Sequence, residues 1–243
     1  MISKNQLKLI RQLGQKKYRK QFNQYLVQGE KNVLELLNSP LKVTDVFATQ
    51  SFIDDNQSAY PQTHFITADE EQLTKVSTLV SNNAAIAIVD MPTTTLPDEN
   101  SLILALDGVS DPGNLGTIIR VADWYGIKHI VASTDSADPY NPKTISATMG
   151  SFVRVSVSQV DLSSYLTSLN VPIYGAFLEG ENVHHCQFAG KGVLLMGSES
   201  HGIRQQCAKL VSNKITIPAF GGAESLNVAM ATGIILDNFK RQA

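Results

Sequence analysis

The chain has 243 residues, 43% of them hydrophobic and 17% charged, with 20 basic and 22 acidic side chains for a formal charge of −2. This composition excludes disorder of the whole chain, and no apolar run approaches the roughly 18 residues of a membrane span. A net charge so near zero argues, as an average, against a polyanionic partner.

The average hides a dipole. Residues 1–31 hold Lys4, Lys8, Arg11, Lys16, Lys17, Arg19, Lys20 and Lys31 against a single acid, Glu30, a charge of +7; the remainder carries −9. Such a split points to a polyanion contact at one end of the chain. Tyr18, Phe22 and Tyr25 are interleaved with the basic run, and aromatics beside cations stack on exposed RNA bases. Lys16, Lys17, Arg19 and Lys20 are the candidate RNA contacts. The competing reading is a solvated amphipathic helix whose Leu7, Ile10 and Leu13 pack inward.

In chain order, apolar spacing predicts a helix over 4–13, a strand over 25–28 and a helix over 30–38 that ends before Pro40. Strands are predicted over 43–49 and 64–67. Thr67 is the expected cap of a helix over 69–77, with Glu70 at its third position. A buried strand follows over 85–91. Residues 91–101, rich in Pro, Thr and polar side chains, read as a linker. Beyond it, apolar runs at 101–109, 128–132, 153–157, 172–177, 193–197 and 214–217 alternate with helical patterns at 115–125, 142–149, 161–169, 201–209 and 226–240. Strand–helix alternation with fully apolar strands predicts an α/β domain built on a mostly parallel sheet covered on both faces. The domain boundaries predicted are 1–90, a linker over 91–100, and 101–243.

Parallel sheets bind ligands at the carboxyl ends of their strands, and three loops there are unusual. The first runs from Asp107-Gly108 through Asp111-Pro112-Gly113-Asn114 to Arg120. Asn114 and Arg120 are six apart, so on one continuous helix they do not share a face; they could meet if Asn114 lies in the turn before the helix. An arginine there suits a phosphate or carboxylate, although a plain helix cap followed by a surface arginine would look the same. The second is Met196-Gly197-Ser198-Glu199-Ser200-His201-Gly202, where Gly197 lets a ligand approach the backbone; it lacks the lysine and spacing of a triphosphate loop. The third runs from Ile217-Pro218 through a glycine-rich stretch to Ser225-Leu226-Asn227-Val228 and a small-residue helix. Two cysteines, Cys186 and Cys207, make neither a disulfide framework nor a metal cluster, and no metal-hydrolase or serine-esterase motif is present. The first residues hold no apolar signal core, so a cytoplasmic protein is expected.

The order and spacing of the three loops resemble the three motifs of the SpoU (TrmH-like) RNA ribose 2′-O-methyltransferases of the SPOUT superfamily. Asn141-Pro142-Lys143 and Ser146–Ser151 resemble that family's intermediate segment. Lys16-Lys17-Tyr18-Arg19, Phe22 and Gly29-Glu30 resemble its ribosomal-L30-like substrate-binding domain. The resemblance implies a deep trefoil knot in the C-terminal domain, which periodicity alone would render as an unknotted doubly wound sheet. It implies a homodimer that uses S-adenosyl-L-methionine as methyl donor and no metal, with RNA, ribosomal RNA first, as substrate. By carry-over, Met196, Gly197, Ile217, Pro218 and Leu226 line the cofactor pocket, and Arg120, Asn114, Glu199, Ser225 and Asn227 form the catalytic set. Transfer RNA is the alternative substrate, although the C-terminus offers only Lys240 and Arg241 as a basic extension. A non-catalytic RNA-binding protein that retains the scaffold is the alternative class. A dinucleotide-dependent oxidoreductase is disfavoured because no G-x-G-x-x-G follows an early strand.

Overall fold

The computed structural model describes residues 2–241. The chain begins α1 (Lys4–Leu13), α2 (Lys16–Phe22), β1 (Gln24–Gln28), α3 (Glu30–Leu37), β2 (Val43–Ala48), α4 (Gln50–Asn56), β3 (Phe65–Thr67), α5 (Glu70–Val76) and β4 (Ala85–Asp90). It continues β5 (Leu102–Asp107), α6 (Pro112–Trp124), β6 (His129–Ser133), α7 (Pro142–Thr148), a 3-10 turn (Ser151–Val153), β7 (Ser156–Val160) and α8 (Leu162–Ser168). The last elements are β8 (Ile173–Asn182), β9 (Gly192–Gly197), α9 (Gln205–Ala208), β10 (Asn213–Thr216) and α10 (Val228–Lys240). The chain divides into two units: residues through Thr93 with Asp138–Val153, and Thr94–Ala137 with Arg154 onward.

In the first unit the sheet runs β1-β4-β2-β3. β4 pairs antiparallel with both β1 and β2, and β3 lies parallel to β2. Side chains alternate across the pleat. Leu26, Phe47, Ile86 and Ile88 face a core shared with Ile10 and Leu13 of α1 and Leu73 and Val76 of α5. Tyr25, Val27, Ala87 and Val89 face the opposite core, which includes Ile145 of α7. There the Tyr25 ring meets Tyr140 at 4.8 Å and Phe152 edge-on at 6.5 Å. The stretch 138–153, which sequence alone attaches to the C-terminal domain, therefore forms part of the wall of this core. Gly150, at φ +100°, lies so close to Glu35 that a Cβ would sit 2.4 Å from its Cγ.

Four local expectations change. The basic run forms a helix of its own, α2, closed by Asn23 in the left-handed region at φ 53°; α4 was likewise without an apolar signature and is capped by Thr49. The cap of α5 is Asp69 rather than Thr67, in a reciprocal box with Gln72. Arg19 is not an exposed RNA contact. It is 1% exposed, donates to the carbonyls of Leu13 and Gly14, each at 2.9 Å, and pairs with Asp138 at 2.6 Å. The side chain lies on the inward face of α2 because the carbonyls ending α1 and the Asp138 carboxylate converge there. Lys16, Lys17 and Lys20 remain exposed.

In the second unit the sheet runs β10-β8-β9-β5-β6-β7, every pairing parallel. Its central strands are buried throughout, with α6 and α10 in the core on one face and α8 and α9 on the other. α6 starts earlier than predicted, at Pro112, because Asp111 caps it and proline suits the first helical position. The strand predicted over 153–157 begins at Ser156, after the 3-10 turn. The helix predicted over 201–209 is a single turn, Gln205–Ala208, because residues 198–204 are held in an irregular loop.

Candidate active site

The chain leaves β5 toward β6 and leaves β9 toward the opposite edge of the sheet. Adjacent strands whose connections diverge open a crevice at their carboxyl ends. Asp107, the last residue of β5, is in register with Gly197, the last of β9. The first two unusual loops of the sequence thus emerge side by side at the switch point.

The second loop is folded tightly on itself. Ser198 and Gly202 exchange backbone hydrogen bonds at 3.1 and 2.9 Å. Gly197 has no room for a side chain, since a Cβ would lie 2.1 Å from the Gly202 carbonyl carbon. Gly202 takes φ +63° to close the turn. The far end of the loop is held by Arg204. Its backbone N–H donates to Asp107 Oδ2 and its Nε to Oδ1, both at 2.7 Å, and Nη2 adds a further bond to Oδ1. Nη1 reaches Asp135 at 3.0 Å. Asp107 is fully buried. Its hydrogen bond raises the Arg204 pKa, so the guanidinium is held charged. Asp135 lies below the usual carboxylate range, chiefly through a hydrogen bond from Ser133. The same Ser133 hydroxyl accepts from the Gly108 N–H at 2.9 Å. The buried Cys207 thiol beside this cluster is pushed up to about 11 by desolvation, so it stays protonated at neutral pH.

The clamped loop presents Glu199 to Asn114. Asn114 Nδ2 donates to Glu199 Oε1, and its Oδ1 accepts from Asn227 Nδ2 at 2.9 Å. Asn227 caps α10, its Oδ1 accepting from Ala229 at 3.0 Å and Met230 at 3.3 Å. Asn114 sits in the first turn of α6, its own N–H on Asp111 Oδ1 at 2.9 Å. One residue from each of the three motif loops is therefore joined in a single hydrogen-bonded chain. Both amide orientations follow from their partners: Asn227 Oδ1 takes the Ala229 and Met230 N–H groups, which leaves its Nδ2 to donate to Asn114 Oδ1.

The other predicted residues lie around this chain. Met196 is buried at the end of β9. Ile217 and Pro218 follow β10 and are partly buried, Ser225 is exposed and Leu226 is half-exposed. Among the described residues, no backbone amide or carbonyl of 218–226 is engaged in a hydrogen bond. The stretch thus leaves backbone donors and acceptors free beside apolar Leu226. Arg120 does not join the chain. It lies in the same helix as Asn114, so six residues of helix separate the two by roughly 120° around the axis. It is exposed, and among the described residues it has no ion-pair or hydrogen-bond partner. Sequence reasoning missed Arg204, Asp107 as its acceptor, and Asp135. The available signal was a carboxylate ending a wholly apolar strand, which a buried position allows only if it is paired.

Residues 101–237 match the SpoU rRNA methylase family, and residues 4–87 match the MRM3-like substrate binding domain. The chain is 31% identical over 240 residues to the 23S rRNA (guanosine(2553)-2′-O)-methyltransferase RlmP of Bacillus subtilis strain 168, covering 96% of each protein. Among solved structures it resembles a TrmH-family protein from Porphyromonas gingivalis, with 35% identity, TM-score 0.90 and both chains covered fully. It also resembles an AdoMet-bound rRNA methyltransferase from Sinorhizobium meliloti, with 29% identity, TM-score 0.86, and coverage of 99% of this chain and 97% of that one. A sheet switch point carrying all three motif loops, and a family match over most of the chain, lead to one assignment: this chain belongs to the SpoU rRNA methylase family.

Proposed function

We propose that the protein transfers a methyl group from S-adenosyl-L-methionine to a ribose 2′-hydroxyl of RNA, with ribosomal RNA as the substrate. The observation that carries this reading is the Asn227–Asn114–Glu199 chain, which joins the three motif loops at the carboxyl ends of β5 and β9. The names of the relatives, RlmP among them, support ribosomal RNA over transfer RNA.

S-adenosylmethionine, when bound, supplies the methyl on an already activated sulfonium. Met196, Gly197, Ile217, Pro218 and Leu226 would hold it, with the unengaged backbone of 218–226 reading the adenine. The chain's own task is to place the 2′-hydroxyl in line and to stabilise its oxygen as the proton leaves. Asn114, with Glu199 and Asn227 fixing its amide, orients the ribose, and Ser225 contacts the RNA backbone. A guanidinium offers donors and no acceptor, so Arg120 serves as a clamp for phosphate and developing alkoxide rather than as a base. The proton passes to phosphate or water.

The same reading gives a knotted C-terminal segment, a cytoplasmic homodimer and no metal. Support for the dimer comes from Trp124 at the end of α6 and Met230 in α10, which are 85% and 62% exposed despite their size. Incubation with total RNA and methyl-labelled S-adenosylmethionine, followed by mapping of 2′-O-methyl sites, tests the proposal. A single labelled site in 23S RNA supports it. S-adenosylmethionine binding with no transfer to any RNA would leave the non-catalytic reading.

A further inference from the structure

We infer that the groove between α1 and α2 is the seat of a single-stranded RNA segment, which extends the contact beyond the lysines of α2 that sequence alone suggested. The inference rests on RNA being the substrate. The groove is lined by Lys4, Lys8, Arg11, Gln15 and Tyr18, with apolar Leu7 among them. Lys4, Lys8 and Arg11 fall within a sector of about 60° on α1, opposite the Ile10–Leu13 side buried in the core. They span about 10 Å along the axis, a row long enough to meet more than one phosphate of a strand. Among the described residues none of the three has an ion-pair partner, and neither α1 nor α2 carries an acid. The cations are therefore not neutralised within the fold.

The second wall is aromatic. Tyr18 and Phe22 stack one helical turn apart, with ring centroids at 6.3 Å and planes at 16°. Phe22 is 39% exposed although it is apolar. Lys17 Nζ lies 5.7 Å from the Tyr18 ring, adding a cation to the same wall. A row of unpaired cations beside a partly exposed aromatic pair fits a strand whose bases are free to stack, and a duplex presents no such face. Arg19, buried behind this wall against Leu13, Gly14 and Asp138, keeps α2 beside α1.

The test is binding of a fluorescein-labelled 12-nucleotide single-stranded RNA to the full chain by anisotropy, from 50 to 300 mM salt, with an RNA duplex of equal charge in parallel. Lys8→Gln/Arg11→Gln should weaken the strand about tenfold at low salt and reduce the slope of log affinity against log salt by about 1.4. Lys191→Gln/Lys209→Gln, which removes two exposed charges from the other unit, should leave both nearly unchanged. Tyr18→Leu should cost the strand at least fivefold and the duplex little. Equal losses from the two double variants would overturn the groove, as would a Tyr18→Leu protein that binds the strand normally. Thermal melts of each variant separate misfolding from lost contact, and the solvent-facing Lys4→Gln repeats the test on a third cation. A wild-type protein that binds the strand through this groove but transfers no methyl to any RNA would sink the enzymatic reading and leave the groove standing.

Discussion

Arg204 grips the buried carboxylate of Asp107 from two directions, with its backbone N–H on one oxygen and its guanidinium on the other. The end of β5 is thereby tied to the exit of the loop that carries Glu199. Arg204→Ala leaves Asp107 buried and lacking its charge partner, a loss of about 2–4 kcal/mol moderated by the partial exposure of the arginine. Arg204→Lys restores charge without the fork and should recover only part of this. Calorimetry should find S-adenosylmethionine affinity down about tenfold in both, because the loop bearing Gly197 loses its second anchor. The double variant Asp107→Asn/Arg204→Ala should be less damaged than the sum of the single changes. Strict additivity would show that the clamp does not act as a unit.

Asn114 uses its amide in both directions, so its isostere is a sharp probe. Asn114→Asp removes the donor to Glu199 and brings a second carboxylate to it. Turnover should fall by about 100-fold or more, while S-adenosylmethionine affinity, which the reading assigns to other residues, changes less than threefold. Asn227→Ala should also cost α10 its cap, about 1 kcal/mol. A normal turnover number in Asn114→Asp would remove the hydrogen-bonded chain from the mechanism.

Much of this site was legible because its parts are local. A strand followed by Asp-Pro-Gly-Asn, or by Gly-Ser-Glu-Ser-His-Gly, announces a turn and a cap within a few residues, and these turns are where Asn114 and Glu199 sit. Arg204 was illegible because its partner lies 97 positions away, and nothing in the loop distinguishes it from a surface arginine. Arg19 misled for the opposite reason: it stands in a basic run, and only the carbonyls ending α1 and the remote Asp138 draw it inward. The stretch 138–153 follows a strand of one unit yet builds the core of the other, a placement set by the contacts of Tyr140, Ile145 and Phe152 rather than by order in the chain.

That placement makes the Arg19–Asp138 pair a stability test. The pair is almost wholly buried, and Arg19 Nε has no partner of its own. Arg19→Met leaves Asp138 uncompensated and should cost about 3–5 kcal/mol, whereas Arg19→Met/Asp138→Leu should recover a substantial share of it. Denaturant melts followed by far-UV circular dichroism would read the difference. If the double variant is no more stable than the single one, the ion pair is not the source of the loss.

Asp135 gives the pH dependence a sign. Its folded pKa lies below the ordinary value, so the folded state binds that proton less readily than the unfolded chain. The stabilisation is complete above the unfolded value near pH 4 and is lost as pH falls through the lowered folded value. Since the side chain is 56% exposed, the effect should be small and weaken with salt. The Tm gap between wild type and Asp135→Asn should stay constant from pH 5 to 8 and narrow below about 4. A gap that widens in acid would reverse the assignment.

Arg120 poses the last question, because helix α6 itself keeps it away from Asn114. If it completes the site of a second copy, two defective chains should repair each other. Arg120→Ala lacks the clamp but retains the chain around Asn114, and Asn114→Asp has the reverse defect. In a mixed dimer, one site would draw an intact Arg120 from the Asn114→Asp copy and an intact Asn114 from the Arg120→Ala copy. Statistical mixing places half of the dimers in that form with one working site each, so about a quarter of wild-type activity should return from two nearly inactive parents. Trp124→Asp, which puts a charge on the exposed apolar end of α6, should block both assembly and repair. If each subunit instead uses its own Arg120, a mixed dimer holds no complete site, and mixing restores nothing.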